Sequence, residues 1–553
     1  MGGILSHLKP EKNTEILNAS CGPIRGNVYK HEEKIVDGYL GIPYAKPPIG
    51  ELRFKKPVAA EKWSEPLDCY KYGPACPQAG KFAVMLHEGV TISEEKCLNL
   101  NVFAPRWKSD EFPNGLPVMV YIHGGGFEMG YSACFDDYSL SGRIPLQDIV
   151  VVSINYRVGP LGFLTTGDSV AKGNYGLWDQ TLALQWVQDH IASFGGDPNN
   201  VTISGGSAGG ISADLLALSP HSNKLFHRFF SMSGTAYCTI TVRPNADEAH
   251  VCEVFAKHYG YSGHDSQSLL EWYQTQDLSL FKQTAEVVTD FSGFFFFVPN
   301  FDGDFFPKPF DELREEAPKL DAMICNGEYE GLGFIMGNPT CSDPNDNLKN
   351  LKDSIEYAYS PDVTGNHVEV QRKLFKAYTE GVDILSQSEL VKKVVEFLGD
   401  YMFNLPALQT AKSCASNGNN AYLASFDYFY SGTVFPPQFS AMLPFRASTH
   451  GTCHPYIFGA GISSAFIPSE EEWEVMDLMG KFASNFVKYG NPNGKNKTGI
   501  WEKYSMNQPD RYFKIDYPNS EMRDNFQNGR LQVFEDIKKH DIRYQKFMFG
   551  KSL

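Results

Sequence analysis

Residues Gly205-Gly206-Ser207-Ala208-Gly209 set a serine among glycines, directly after the β-branched run Val201-Thr202-Ile203-Ser204. A strand leading in and a helix leading out would hold such a serine on a tight turn with its hydroxyl exposed, poised as a nucleophile. The stretch Gly210 to Leu218 reads as that helix. The flanking glycines fit, because side chains there would clash in so sharp a turn. The chemistry this predicts is attack on an acyl carbonyl.

Such an attack builds negative charge on the carbonyl oxygen, and one preorganised donor aimed at it is typically worth about 3–4 kcal/mol. Leu116 to Ile122 reads as a buried strand and runs into His123-Gly124-Gly125-Gly126-Phe127. A triple glycine lets the main chain approach a substrate closely. We assign the oxyanion donors to the N–H groups of Gly125, Gly126 and Ala208. The serine also needs a base, and the base an orienting acid, in the chain order Ser, Asp/Glu, His. Among 14 histidines, His450 and His454 lie far downstream in a loop-like stretch, and spacing alone leaves both open. The acid candidates follow the apolar run Ala322-Met323-Ile324-Cys325; they are Glu328 and Glu330.

These parts need a large scaffold. The chain has 553 residues, 42% hydrophobic and 14% aromatic, enough to bury an extensive core, and it shows no repeats, low-complexity tract or interdomain linker. Its formal net charge of −16 argues against nucleic acid as a partner and disfavours broad attachment to anionic lipid. No run approaches the length of a membrane-spanning helix.

Further blocks carry a resemblance. Gly41-Ile42-Pro43-Tyr44-Ala45-Lys46-Pro47-Pro48 with Leu52-Arg53-Phe54, Glu95-Lys96-Cys97-Leu98-Asn99-Leu100-Asn101-Val102, Gly173-Asn174-Tyr175-Gly176-Leu177-Trp178-Asp179-Gln180 and Phe194-Gly195-Gly196-Asp197-Pro198 resemble signatures of the type-B carboxylesterases, the cholinesterase-like family of the α/β-hydrolase fold. The likeness runs from Gly22 to about residue 540. It implies an α/β fold, with a large, mostly parallel, twisted sheet flanked by helices. It also implies one domain over 1–553, of which 1–21 is an N-terminal extension. The family's N-x-x-x-E-G block selects Glu330 over Glu328, and its H-G-x-x-x-x-Y/F-V/I-F-G block selects His450 over His454. Ser233, in Met232-Ser233-Gly234, matches a serine that supports the acid. Cys76 and Cys97 match the family's first disulfide, while Cys252 has no counterpart for the second. Eleven cysteines cannot all pair within the chain.

The resemblance implies a serine carboxylic-ester hydrolase, with Ser207, His450 and Glu330 as triad, a small-molecule ester as substrate, and neither metal nor cofactor. An acyltransferase with the same triad is the alternative. A non-catalytic adhesion or scaffold relative is disfavoured, because such relatives lose a triad member. Departures from the family refine the substrate. Gly206 stands where the family has Glu or another polar residue, so one electrostatic contributor near the base is expected to be missing. Lys96 replaces an Asp. No Trp lies between Cys76 and Cys97, where cholinesterases hold the choline cation by cation–π contact. Ile240 sits where another active-site Trp is expected, and with Phe334 it is assigned to the alcohol side. Register from Val298-Pro299 puts Phe295 and Gly293 at two positions that are aromatic in the acyl pocket of acetylcholinesterases, so one wall is kept and one removed. Neutral esters with longer acyl groups are therefore expected. The start Met1-Gly2-Gly3-Ile4-Leu5-Ser6 lacks the hydrophobic stretch of a signal peptide and fits the myristoylation pattern at Gly2. That implies an intracellular chain, cytoplasmic or weakly and reversibly membrane-associated. No motif sets an oligomeric state.

Overall fold

The computed structural model describes residue 10 and residues 12–78, 91–238, 240–283, 295–336, 338–430, 441–461, 466–496, 499–542 and 545. Its frame is a twelve-stranded sheet. The strands are β1 Lys12–Asn13, β2 Asn27–His31, β3 Lys34–Pro43, β4 Asn99–Pro105, β5 Leu116–Ile122, β6 Val150–Ile154, β7 Gly196–Gly206, β8 Arg228–Met232, β9 Asp321–Gly327, β10 Ala421–Phe426, β11 Tyr512–Ile515 and β12 Glu521–Arg523. Their spatial order is β1-β2-β3-β4-β6-β5-β7-β8-β9-β10-β11-β12. Pairing is antiparallel from β1 to β6, parallel from β6 through β11, and antiparallel again at β12. Lys12–Asn13, inside the stretch read as an extension, forms the edge strand of this sheet, and Leu17–Ala19 pairs with Gly22–Arg25 in a small separate sheet.

Both faces of the sheet are covered, which is why its central strands read as continuous apolar runs. In β5, Val118, Val120 and Ile122 enter one core while Met119 and Tyr121 enter the other. Helices α1 Tyr175–His190, α2 Ala208–Leu218 and α3 Leu405–Ser416 lie on the first face, through Leu184, Leu215 and Ala407 among others. After the short helix α4 His454–Phe458, the long helix α5 Glu470–Tyr489 covers the second face with Val475, Met476, Phe482 and Phe486. Ser469 opens α5 with a reciprocal capping box to Glu472.

Two buried ion pairs tie the helices down. Arg157 grips Asp179 of α1 with two guanidinium nitrogens, at 2.7 and 2.8 Å. Asp214 of α2 pairs with Arg314, and its other oxygen accepts from the Ala236 N–H and the Thr410 hydroxyl. Register aligns the carboxyl ends of β5, β7, β8, β9 and β10: Ile122 lies opposite Gly205, Gly206 opposite Met232, Met232 opposite Cys325, and Gly327 opposite Phe426. In open α/β sheets ligands bind at that edge. Among the described residues no helix is long and apolar enough to cross a membrane.

Candidate active site

The turn after β7 carries Ser207. Its backbone sits at φ 55°, ψ −127°, a region that non-glycine residues rarely adopt and that surrounding structure must enforce. The enforcement is close packing. A Cβ on Gly205 would lie 2.3 Å from the Gly209 carbonyl carbon, and one on Gly209 would lie 2.0 Å from the Ile122 oxygen. The Ser207 N–H donates to Met232 O at 2.8 Å, fixing the turn to β8. Ala208 then opens α2, so the positive end of that helix dipole faces the serine.

Gly125 and Gly126, following β5, both have positive φ, 114° and 63°. The loop is held by His123, whose ring stacks on Tyr156 at 4.3 Å and donates from Nδ1 to Gly124 O; burial presses its pKa down to about 4, so it stays neutral. Among the described residues, the N–H groups of Gly125, Gly126 and Ala208 donate to no acceptor within the protein.

Glu330 lies in the turn after β9 and is fully buried. Its Oε1 accepts from the Ser233 hydroxyl at 2.7 Å and the Gly327 N–H at 2.5 Å; its Oε2 accepts from His450 Nδ1 at 2.7 Å. A carboxylate can only accept, so the His450 proton sits on Nδ1 and Nε2 is the basic atom. The His450 loop is stitched to the strand ends: the Tyr329 N–H donates to Ser448 O, and the Ser448 hydroxyl to Phe426 O. Two rings bracket the imidazole, Phe334 edge-on at 5.0 Å and Phe403 tilted at 4.5 Å. The described hydrogen bonds do not include one between Ser207 and His450; such contacts are often longer in unliganded sites and close on substrate.

The competing residues lie elsewhere. Glu328 stands among Asp427, Lys514 and Asp516, where burial, then the Asp427 charge, raises its carboxyl to about 7. His454 is buried, donating from Nδ1 to Gly451 O at 3.1 Å. Beside it the Cys325 and Cys453 thiols share a hydrogen bond that pulls Cys453 down and pushes Cys325 up.

Of the residues expected to line the pocket, Phe295 packs its ring so tightly on the Gly125–Gly126 loop that a Cβ on Gly126 would lie 2.2 Å from it. Ile240 is half-buried against the main core. Gly293 and Gly2 lie outside the described residues. Cys76 and Cys97 are bonded, with Cα atoms 4.8 Å apart.

Sequence reasoning missed two features. Phe403 belongs to a π-helical turn, Asp400–Asn404, a rare element that concentrates at functional sites and has no simple sequence signal. A Glu128–Arg243–Glu248 cluster, buried at Arg243 and Glu248 and half-buried at Glu128, pins the Phe295–Val298 segment: Arg243 donates to Phe295 O, Phe296 O and Glu248, while Glu128 accepts from the Phe296 N–H and Glu248 from the Val298 N–H. Burial raises Glu128 to about 7 and Glu248 to about 8.

This fold and this edge of the sheet define an α/β hydrolase. The model of the carboxylesterase family matches residues 13–534. Esterase cest-33 of Caenorhabditis elegans is 52% identical over all of this chain and 99% of its own length. Carboxylesterase 1F of Mus musculus is 34% identical, over 85% of this chain and 84% of its own. Acetylcholinesterase of Bungarus fasciatus is 30% identical, over 89% and 81%. The chain belongs to the carboxylesterase family and is a carboxylic-ester hydrolase.

Proposed function

We propose that the chain cleaves neutral carboxylic esters through an acyl-enzyme on Ser207. His450 Nε2 takes the Ser207 proton as Oγ attacks the ester carbonyl. The Gly125, Gly126 and Ala208 N–H groups receive the oxyanion. His450 then protonates the departing alcohol, and a water activated by the same nitrogen releases the acid. Glu330 holds the imidazole in the required tautomer, and Ser233 holds Glu330. The observation that carries this reading is the buried Ser233–Glu330–His450 chain of 2.7 Å contacts, set at the strand edge beside the Ser207 turn.

The substrate follows from the walls. Phe295 keeps one aromatic surface against the oxyanion loop, and Gly293 offers none. Each additional buried CH₂ contributes up to about 0.8 kcal/mol, and the part realised in the transition state raises kcat/KM. A cationic alcohol finds no Trp at Ile240 and none between Cys76 and Cys97. Butyryl or longer esters of neutral alcohols are therefore preferred over acetylcholine.

The test is labelling with an organophosphate, followed by peptide mass analysis, and an ester panel varying acyl length and alcohol. Adduct on Ser207 and a maximum at butyryl or beyond are expected. Label elsewhere overturns the mechanism; a preference for acetylcholine overturns the substrate. Transfer of the acyl group to an added alcohol in place of water would make the chain an acyltransferase.

A further inference from the structure

Position 206, directly before the nucleophile, has no side chain, and the space is not empty. A Cβ built on Gly206 would lie 1.7 Å from His454 Nε2 and 2.3 Å from its Cε1. The imidazole occupies the volume that a residue-206 side chain would otherwise claim. His454 is 2% exposed, and its Nδ1–H is committed to Gly451 O, so its ring orientation is fixed with Nε2 towards the elbow. Gly451 joins it to His450 within one tight loop, in which the Thr452 N–H donates to Thr449 O and the His454 N–H to Gly451 O. Cys453, next in the loop, contacts Cys325 of β9, the strand that ends in the Glu330 turn. The serine turn and the base loop thus meet at this ring, and Cys453 beside it ties the loop to the acid strand.

We propose that His454 is a positioning residue: its imidazole replaces the side chain that position 206 lacks and sets the His450 loop against the Ser207 turn. The proposal rests on the Ser207–His450–Glu330 mechanism. It explains why a glycine is tolerated beside the nucleophile, since glycine and imidazole are reciprocal parts of one fit. A misplacement of this loop by about 1 Å can cost up to about a hundredfold in rate. The loss is expected on kcat, because the role proposed for His454 is to place the His450 loop and not to bind the ester.

The experiment is a double-mutant cycle with His454→Ala, Gly206→Ala and the pair together, plus His454→Asn, whose amide N–H can reach Gly451 O. Turnover of a butyryl ester, the rate of Ser207 phosphonylation and Tm are measured for each. His454→Ala and Gly206→Ala should each lower kcat by about tenfold or more with KM little changed, and the pair should be no worse than His454→Ala alone, because the vacated space accepts the methyl. His454→Asn, which keeps a donor to Gly451 O but lacks the outer ring atoms that fill the space at position 206, should recover little of the loss. Additive losses in the pair, unchanged kcat in His454→Ala, or wild-type kcat in His454→Asn overturn the proposal. If Gly206→Ala does not fold, the Asn and Ala variants decide it. A wild-type enzyme that is not labelled at Ser207 instead overturns the underlying mechanism, a separate result.

Discussion

At the scale of residues, the proposed triad is expected to act as a unit. Ser207→Ala, His450→Ala and Glu330→Ala should each remove most activity, and their combination should cost little more than the worst single change, because a triad missing one member has lost its proton path. Steady-state kinetics on singles and the triple variant checks this. Glu328→Ala should stay within about threefold of wild type, since its carboxyl faces Asp427 and Lys514 rather than His450. A dead Glu328→Ala with an active Glu330→Ala would reverse the acid assignment. The left-handed backbone of Ser207 and Ser233, at φ 55° and 53°, belongs to the same scale: both serines sit at strand ends where the chain must turn sharply towards the substrate edge.

At the scale of elements, the segment Phe295–Val298 is held by the carboxyls of Glu128 and Glu248 and the guanidinium of Arg243. Glu128 and Glu248 titrate above their ordinary value, to about 7 and about 8, because burial penalises their charge. The native state therefore keeps protons that the unfolded chain has already lost above about pH 4.5, so each group's contribution to stability falls as pH rises towards 7 or 8. The slope is about 1.4 kcal/mol per pH unit for each group within that window. Tm measured from pH 5.5 to 7.5 should fall more steeply for wild type than for Glu128→Gln; equal slopes would refute the assignment. The acyl pocket proposed above includes the neighbouring Gly293. Gly293→Phe should shift preference towards acetyl esters, and an unchanged acyl-length profile would show that Gly293 does not border the pocket.

At the scale of the whole molecule, buried ion pairs tie the helices into the fold. Removing one partner strands a charge in the core, typically at a cost of about 3–5 kcal/mol. Asp179→Ala, which orphans the buried Arg157, should therefore lower the midpoint of urea unfolding strongly, whereas Lys46→Ala, which breaks an exposed pair with Glu61, should barely move it. The excess of negative charge acts over the entire surface. Unacylated protein should fail to sediment with phosphatidylserine vesicles at low salt, and binding there would show a concentrated basic patch that the net charge conceals.

Much of this was written in the order of residues. The run Leu116 to Ile122 is β5, Val201 to Ser204 lies within β7, and Ala322 to Cys325 within β9, because a strand buried on both faces must be apolar throughout. The glycine–serine–glycine turn and the triple glycine were legible because close backbone approach admits no other residue. Family likeness chose Glu330 and His450 where spacing could not. Tertiary structure alone decided what surrounds them. His454 and Gly206 are 248 positions apart, yet they fill one volume, and no local pattern announces a contact between a side chain and its absence. Phe403 reaches His450 through a π-turn, and Glu128, the Arg243–Glu248 pair and the Phe295–Val298 backbone meet only when three separate segments fold together. Periodicity and turn chemistry are local and survive in sequence; packing complementarity is set by distant partners and exists only in the folded chain.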